Sequence, residues 1–280
     1  MFSSSMPSSL TIALEQIAAE ASWEHNLEHC LQALRRGAQA GAHIVVLPEA
    51  CMRPFGTDLQ DLPSNLDSEW QEALQRCAED LGIVAIVGIF RRKGASFTNT
   101  LLVTGQDLLA TYDKRHLYDA FGYEESRLIT RGKDCLLLSL GSFCLGFGLC
   151  YDLRFPEHFL TLALHGANVL IVAADWGLGP GKLEQWRLLT RARALDCTAY
   201  LVACGQAKNP QIPAFGLGHS LCVAPNGEII DELGEAEGEL VVQLDLACVR
   251  KVREHVPVLT LNQKLFSEVP KVQIVFGRKH

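Results

Sequence analysis

Apolar residues along this chain fall into two kinds of run. Short stretches such as HIVVLPE (43–49), IVAIVGIF (83–90) and GANVLIVAADW (166–176) are apolar at successive positions and rich in β-branched residues. That is the pattern of strands buried on both faces. Amphipathic stretches separate them and predict helices over 26–40, 68–80, 182–198 and 246–256, with another starting at Pro156, a favoured first helical position. LTIALEQI (10–17) and AYLVACGQ (199–206) read as further strands, NTLLVTGQDLLATYDK (99–114) as a hairpin turning at GQD, and LLLSL and FCLGFGLC as strands flanking Gly141-Ser142. Pro225-Asn226-Gly227 marks another hairpin turn.

Buried strands alternating with helices imply a layered α/β fold, with sheets covered by helices on their outer faces. GAHIVVLPEA (41–50) and GANVLIVAADW (166–176) echo one another, which suggests one domain of two similar halves over 10–256. A tail of nine residues precedes it, and a tail of mixed polarity (257–280) follows with no evident partner within the chain.

Composition narrows the function. The 280 residues carry a formal net charge of -7, which gives no electrostatic reason to expect nucleic acid or an anionic membrane. No apolar run approaches the roughly 20 residues of a membrane span, and MFSSSMPSSL lacks the basic and apolar regions of a secretion signal. The ten cysteines are scattered singly, which favours reduced thiols and a cytoplasmic protein. The nine histidines form no ligand pair, so neither a metal nor another cofactor is expected. GLGPGK (177–182) is one residue short of a phosphate loop and is followed by Leu183 rather than Ser or Thr.

Three polar residues close apolar strands: Glu49, Lys114 and Cys150. Sites in α/β sheets gather at the carboxyl ends of strands. A carboxylate, an amine and a thiol gathered there suit attack on a carbon bound to nitrogen. The carboxylate takes the thiol proton, the thiolate adds to the carbonyl, and the ammonium steadies the oxyanion. A Cys–His arrangement using His116 or His158 would leave the Glu–Lys pair without a role.

The segments LPEA, YDKRHLYDAFGYEES and GLCYDLRFPE, in that order and at those separations, resemble the nitrilase superfamily of carbon-nitrogen hydrolases. The resemblance runs from about Leu10 to Pro257. It implies an αββα sandwich, paired as αββα–αββα in a homodimer to which the C-terminal tail contributes. It also implies Cys150 as nucleophile, Glu49 as general base, Lys114 as oxyanion stabiliser and the Tyr151 backbone N–H as second oxyanion donor. Of the adjacent Glu124 and Glu125, the Glu-Ser match selects Glu125 as the second glutamate of the site. Arg154, Glu157 and Trp176 also match family positions. Arg154 and Trp176 are candidates for binding substrate, while Arg154 with Glu157 equally suits bracing the elbow or the dimer face, and Trp176 equally suits core packing.

The expected activity is hydrolysis of a small linear amide through a Cys150 thioester with release of ammonia. ω-Amides of small dicarboxylates and deaminated glutathione are the nearest substrates; N-carbamoyl amino acids and nitriles are the alternatives. A catalytically silent binding protein is the non-enzyme alternative. Arg53, Arg154 and Lys208 are candidates for holding a substrate carboxylate, and the loops 54–67 and 205–215 for setting specificity. Cys150 is expected to have a depressed pKa and to outreact the other nine cysteines. Gly146 and Gly148 are expected to let the nucleophile strand pack closely and turn sharply.

Overall fold

A computed structural model describes residues 9–212, 214–262 and 272–276. The chain runs β1 (Ser9–Gln16), α1 (Trp23–Gln39), β2 (Ile44–Val46), α2 (Leu66–Leu81), β3 (Val84–Lys93), β4 (Ser96–Gly105) and β5 (Leu108–Asp113). A two-stranded ribbon follows, β6 (Asp119–Ala120) and β7 (Tyr123–Glu124), then β8 (Cys135–Leu140), β9 (Phe143–Leu149) and α3 (Pro156–Leu164). The remainder is β10 (Val169–Ala174), α4 (Lys182–Cys197), β11 (Tyr200–Gly205), β12 (Leu221–Val223), β13 (Ile229–Glu232), β14 (Gly238–Asp245), α5 (Leu246–His255), α6 (Val258–Asn262) and β15 (Val272–Phe276).

Two sheets form. One has the order β14-β1-β2-β3-β4-β5, the other β13-β12-β11-β10-β9-β8-β15. Strands β1, β2 and β3 run parallel, as do β9, β10 and β11, while the hairpin partners and β14 run antiparallel. Alternate residues along each strand serve different layers. Ile12, Leu14, Ile44, Val46 and Ile86 face Leu145, Phe147, Val169, Ile171 and Val202 in a core between the sheets. Ala13, Val45, Ala85 and Val87 pack outward on Leu34, Trp70 and Leu74 of α1 and α2. Leu170, Val172 and Leu201 pack outward on Phe159, Leu162 and Trp186 of α3 and α4. The result is the layered plan that the alternation of strands and helices implies, in the αββα form that the family resemblance implies.

The strand and helix expectations hold with small shifts at the ends. The hairpin at GQD turns through Gln106 and Asp107, at φ 57° and 60°, two left-handed residues whose twist matches that of the strands. The two halves do not each build a sheet alone. β14 returns from the C-terminal part to pair along the whole of β1, from Ser9 opposite Asp245 to Gln16 opposite Gly238. The C-terminal tail also has a partner inside the chain: β15 lies parallel to β8 at the edge of the second sheet. Residues 263–271 and 277–280 of that tail, and 1–8 of the N-terminal one, lie outside the described residues. Among the described residues no helix is long and apolar enough to cross a membrane.

Candidate active site

Glu49 leaves β2 after Pro48 and runs against β3 at Gly88. A Cβ on Gly88 would lie 2.4 Å from the Pro48 carbonyl oxygen, so only glycine admits this approach. Lys114 follows β5, and its N–H donates to the Asn99 carbonyl at 2.8 Å. Cys150 follows β9 at φ 42°, a left-handed conformation that costs a non-glycine residue energy and is held by its surroundings. This is where the sharp turn sits. Gly146 and Gly148 instead serve packing, since a Cβ on either would come within 3 Å of Leu162 or Phe159 of α3.

Asp152 fixes the bend. Its carboxylate accepts the Leu149 N–H at 2.9 Å and the Tyr112 hydroxyl at 2.6 Å, and on its other oxygen the His116 N–H and Nδ1 at 2.9 and 2.7 Å. It thus ties the Cys150 turn to the segment that follows Lys114. Burial raises its pKa, but the hydrogen bonds from His116 and Tyr112 overcome this and hold it down at about 2. His116 and His158 serve this scaffold, with His158 Nε2 against the Phe147 carbonyl at 2.7 Å.

The three strand-end residues meet. Lys114 Nζ donates to Glu49 Oε1 at 2.8 Å and to Glu125 Oε2 at 2.9 Å, and all three side chains are buried. Glu125, selected over its exposed neighbour Glu124, also accepts the Tyr118 N–H at 2.7 Å. Asn99, in the middle of β4, donates at 2.8 Å to both Glu49 and Glu125 and so bridges the carboxylates. The second Glu49 oxygen accepts the Asp175 N–H at 2.8 Å, and its carbonyl accepts Gln206 Nε2 at 2.9 Å. Cys150 Sγ lies 3.8 Å from the Asp175 carbonyl oxygen.

The electrostatics follow from this burial. Burial alone would lower the Lys114 pKa, but the Glu125 and Glu49 carboxylates outweigh it and hold the ammonium charged. Burial raises Glu49, as does the Glu125 charge, against the pull of Lys114; the result is a carboxylate primed to take a proton. The expected depressed thiol is not found. Burial and the Glu49 charge push Cys150 well above its ordinary value, against Lys114. That direction favours the neutral thiol.

Cys150, Tyr151, Arg154, Asp175 and Trp176 line a cavity of about 270 Å³, part of it open solvent, with Tyr118, Gly177, Lys182 and Phe215. An outer recess of about 980 Å³, part of it open solvent, shares Tyr118, Gly177, Lys182 and Phe215 and adds Phe121 and Tyr123. Arg154 does not pair with Glu157, which is exposed. Its guanidinium donates to Gln185 at 2.6 Å and lies over the Trp176 ring, 5.2 Å from the centroid. Of the three candidate carboxylate binders only Arg154 reaches the cavity. Lys208 is paired at the surface with Glu235, and Arg53 does not line it. Lys182 does line it, at the end of the rejected phosphate-loop stretch. Burial and the Arg154 charge lower its pKa. Both expected specificity loops arrive here, since Phe55 and Phe215 pack at 5.5 Å between centroids and Lys114 Nζ sits 5.7 Å from the Phe55 ring. Among the described residues no three His, Cys, Asp or Glu side chains are placed to share a metal ion.

Residues 11–254 match the carbon-nitrogen hydrolase family. The chain belongs to that family. It is 38% identical to the hydrolase Rv0480c of Mycobacterium tuberculosis over 278 residues, covering 94% of this chain and 99% of that one. It is 33% identical to the deaminated glutathione amidase of Escherichia coli O157:H7 over 256 residues, covering 89% and 96%. Its fold matches the crystal structure of Saccharomyces cerevisiae Nit3, a member of branch 10 of the nitrilase superfamily, with a TM-score of 0.81 and 27% identity over 92% of this chain and 97% of that one. The carbon-nitrogen hydrolase is therefore similar along nearly its whole length to an amidase of this superfamily. Sequence reasoning missed Asn99, Asp175 and Lys182, while Phe55 lies in the expected loop 54–67. Only Lys182 had a local cue, as a basic residue closing a glycine-rich loop.

Proposed function

We propose that this chain is an amidase that hydrolyses small linear carboxamides through a thioester at Cys150. One observation carries the reading: an ammonium held between two buried carboxylates beside a thiol at the end of a strand. Glu49 removes the thiol proton as sulfur attacks the carbonyl carbon. The oxyanion is met by the Lys114 ammonium and the Tyr151 N–H, which follows the nucleophile. Glu49 passes its proton to the nitrogen, the C–N bond breaks and ammonia leaves. A water deprotonated by Glu49 then attacks the thioester, and collapse returns the carboxylic acid and the thiol. Glu125 and Asn99 hold Lys114 and Glu49 in register. No step calls for a cofactor.

Arg154 and Lys182, both at the cavity wall, favour a substrate that carries a carboxylate away from its amide, as the ω-amides of small dicarboxylic acids do. We place the enzyme in the cytoplasm, in keeping with ten free cysteines. We further propose a homodimer, supported by Leu188 and Leu195, which stand seven residues apart on α4 and are 67% and 47% exposed.

The test is ammonia release from ω-amides, deaminated glutathione, N-carbamoyl amino acids, aliphatic amides and nitriles, with Cys150→Ala alongside. Turnover of an ω-amide that the variant lacks supports the reading. An undiminished rate in the variant sinks it, and preference for a carbamoyl compound or a nitrile moves the substrate assignment to that class.

A further inference from the structure

Asp175 follows β10 directly, and the proposed mechanism uses only its main chain. Its N–H serves Glu49 and its carbonyl oxygen lies beside Cys150 Sγ. The carboxyl is a separate matter. Asp175 is 4% exposed and lines the cavity with Cys150, yet its Oδ1 is buried with no hydrogen-bond partner among the described residues. The Gly216 backbone N–H lies close enough to this carboxyl to lower its pKa. Buried acceptors are nearly always satisfied, so an unpaired one on a residue of the cavity wall is a place for a ligand's donor.

The identity of that donor follows from what surrounds it. The Asp175 backbone abuts the sulfur, so a group reaching its side chain is attached at or next to the carbon under attack. The carbonyl oxygen of an amide is directed to Lys114 and the Tyr151 N–H. That leaves the N–H₂ group, which needs acceptors, and the other charged side chains of the cavity, Arg154 and Lys182, only donate. Resting on the cysteine-amidase reading above, we infer that Asp175 Oδ1 accepts a hydrogen bond from the N–H₂ of the scissile amide and sets a preference for amides over esters. An ester offers no donor at that position and leaves Oδ1 unpaired.

The experiment compares an amide with the p-nitrophenyl ester of the same acyl group, reading ammonia and p-nitrophenolate. Wild type, Asp175→Ala, Asp175→Asn and Cys150→Ala are assayed. The alanine variant is expected to lose about tenfold in kcat/KM on the amide, the scale of one hydrogen bond. On the ester it should stay within about threefold, since no bond to that substrate is removed. Asparagine, which keeps an oxygen acceptor, should recover most of the amide rate. Equal losses on the two substrates, or an unchanged amide rate, overturn the inference. Ester turnover certifies a folded site, and if the alanine protein does not fold the same ratio is read in Asp175→Ser. Failure of the amidase reading would look different: Cys150→Ala would then retain the amide activity.

Discussion

Asn99 shows how much of the site hangs on a residue with no chemistry of its own. Its side-chain amide is the bridge that lets two carboxylates share one lysine. Removing a donor from a carboxylate raises its pKa. Asn99→Leu should therefore move the acid limb of the pH–rate profile upward and lower kcat by about tenfold, the worth of a hydrogen bond to a charged group. An unmoved limb would show that Asn99 does not tune Glu49. Lys114→Ala should cost on the order of 100-fold or more in kcat, as loss of an oxyanion donor does. It should also lower Tm, because it leaves two buried carboxylates without a cation. Rates must then be read on the folded fraction, and a variant within tenfold of wild type would remove Lys114 from the chemistry. Glu49, Lys114 and Cys150 stood out in the sequence because each is a polar residue ending an apolar run and each lies in a segment that resembles a family motif. Asn99 sits inside a strand and Asp175 beside a tryptophan. Their meaning lies in partners 50 and 126 residues away, which no local pattern reports.

Elements place these residues by close approach. Gly88→Ala would push β3 off the Pro48–Glu49 backbone; it should destabilise the fold by about 1–3 kcal/mol, as overpacking does, and depress kcat as Glu49 shifts. Thermal melts and steady-state rates of the purified variant check both, and an unaltered kcat would show that the strand yields without moving the base. At the β1–β14 pairing, Glu15 stands opposite Glu239 and is bonded by Arg36 at 2.8 Å. Burial, then Glu239, raise Glu15 to about 7, against Arg36. A folded-state pKa above the unfolded one contributes stability that is complete below about 4.5 and is lost as pH rises through about 7. Tm should fall across that window, and less so in Glu239→Gln; parallel curves would dismiss the pair. β14 itself carries a period-two alternation in ELVVQLD, yet nothing in it says that its partner is the first strand of the domain. β15 was equally silent about β8.

For the whole molecule, a layered plan was legible because strands buried on both faces must be covered by helices, and its αββα form came from the family resemblance. What was not legible is which strands cross between the halves, since pairing over two hundred residues leaves no mark on either segment. The same scale governs association. Leu188→Glu together with Leu195→Glu should turn a dimer into a monomer by light scattering, with the far-ultraviolet spectrum unchanged. A dimer that survives both changes is built elsewhere.

The return of β14 to β1 also has a consequence during synthesis. The ribosome delivers β1 first and β14 some 230 residues later, so for nearly the whole of translation the first strand has one bare edge. At about 5–20 residues per second that interval lasts on the order of ten seconds or more. An unpaired, apolar strand edge invites other chains. A nascent chain stalled before residue 238 would present that edge permanently, and the cell would meet it as a client for chaperones rather than as an enzyme.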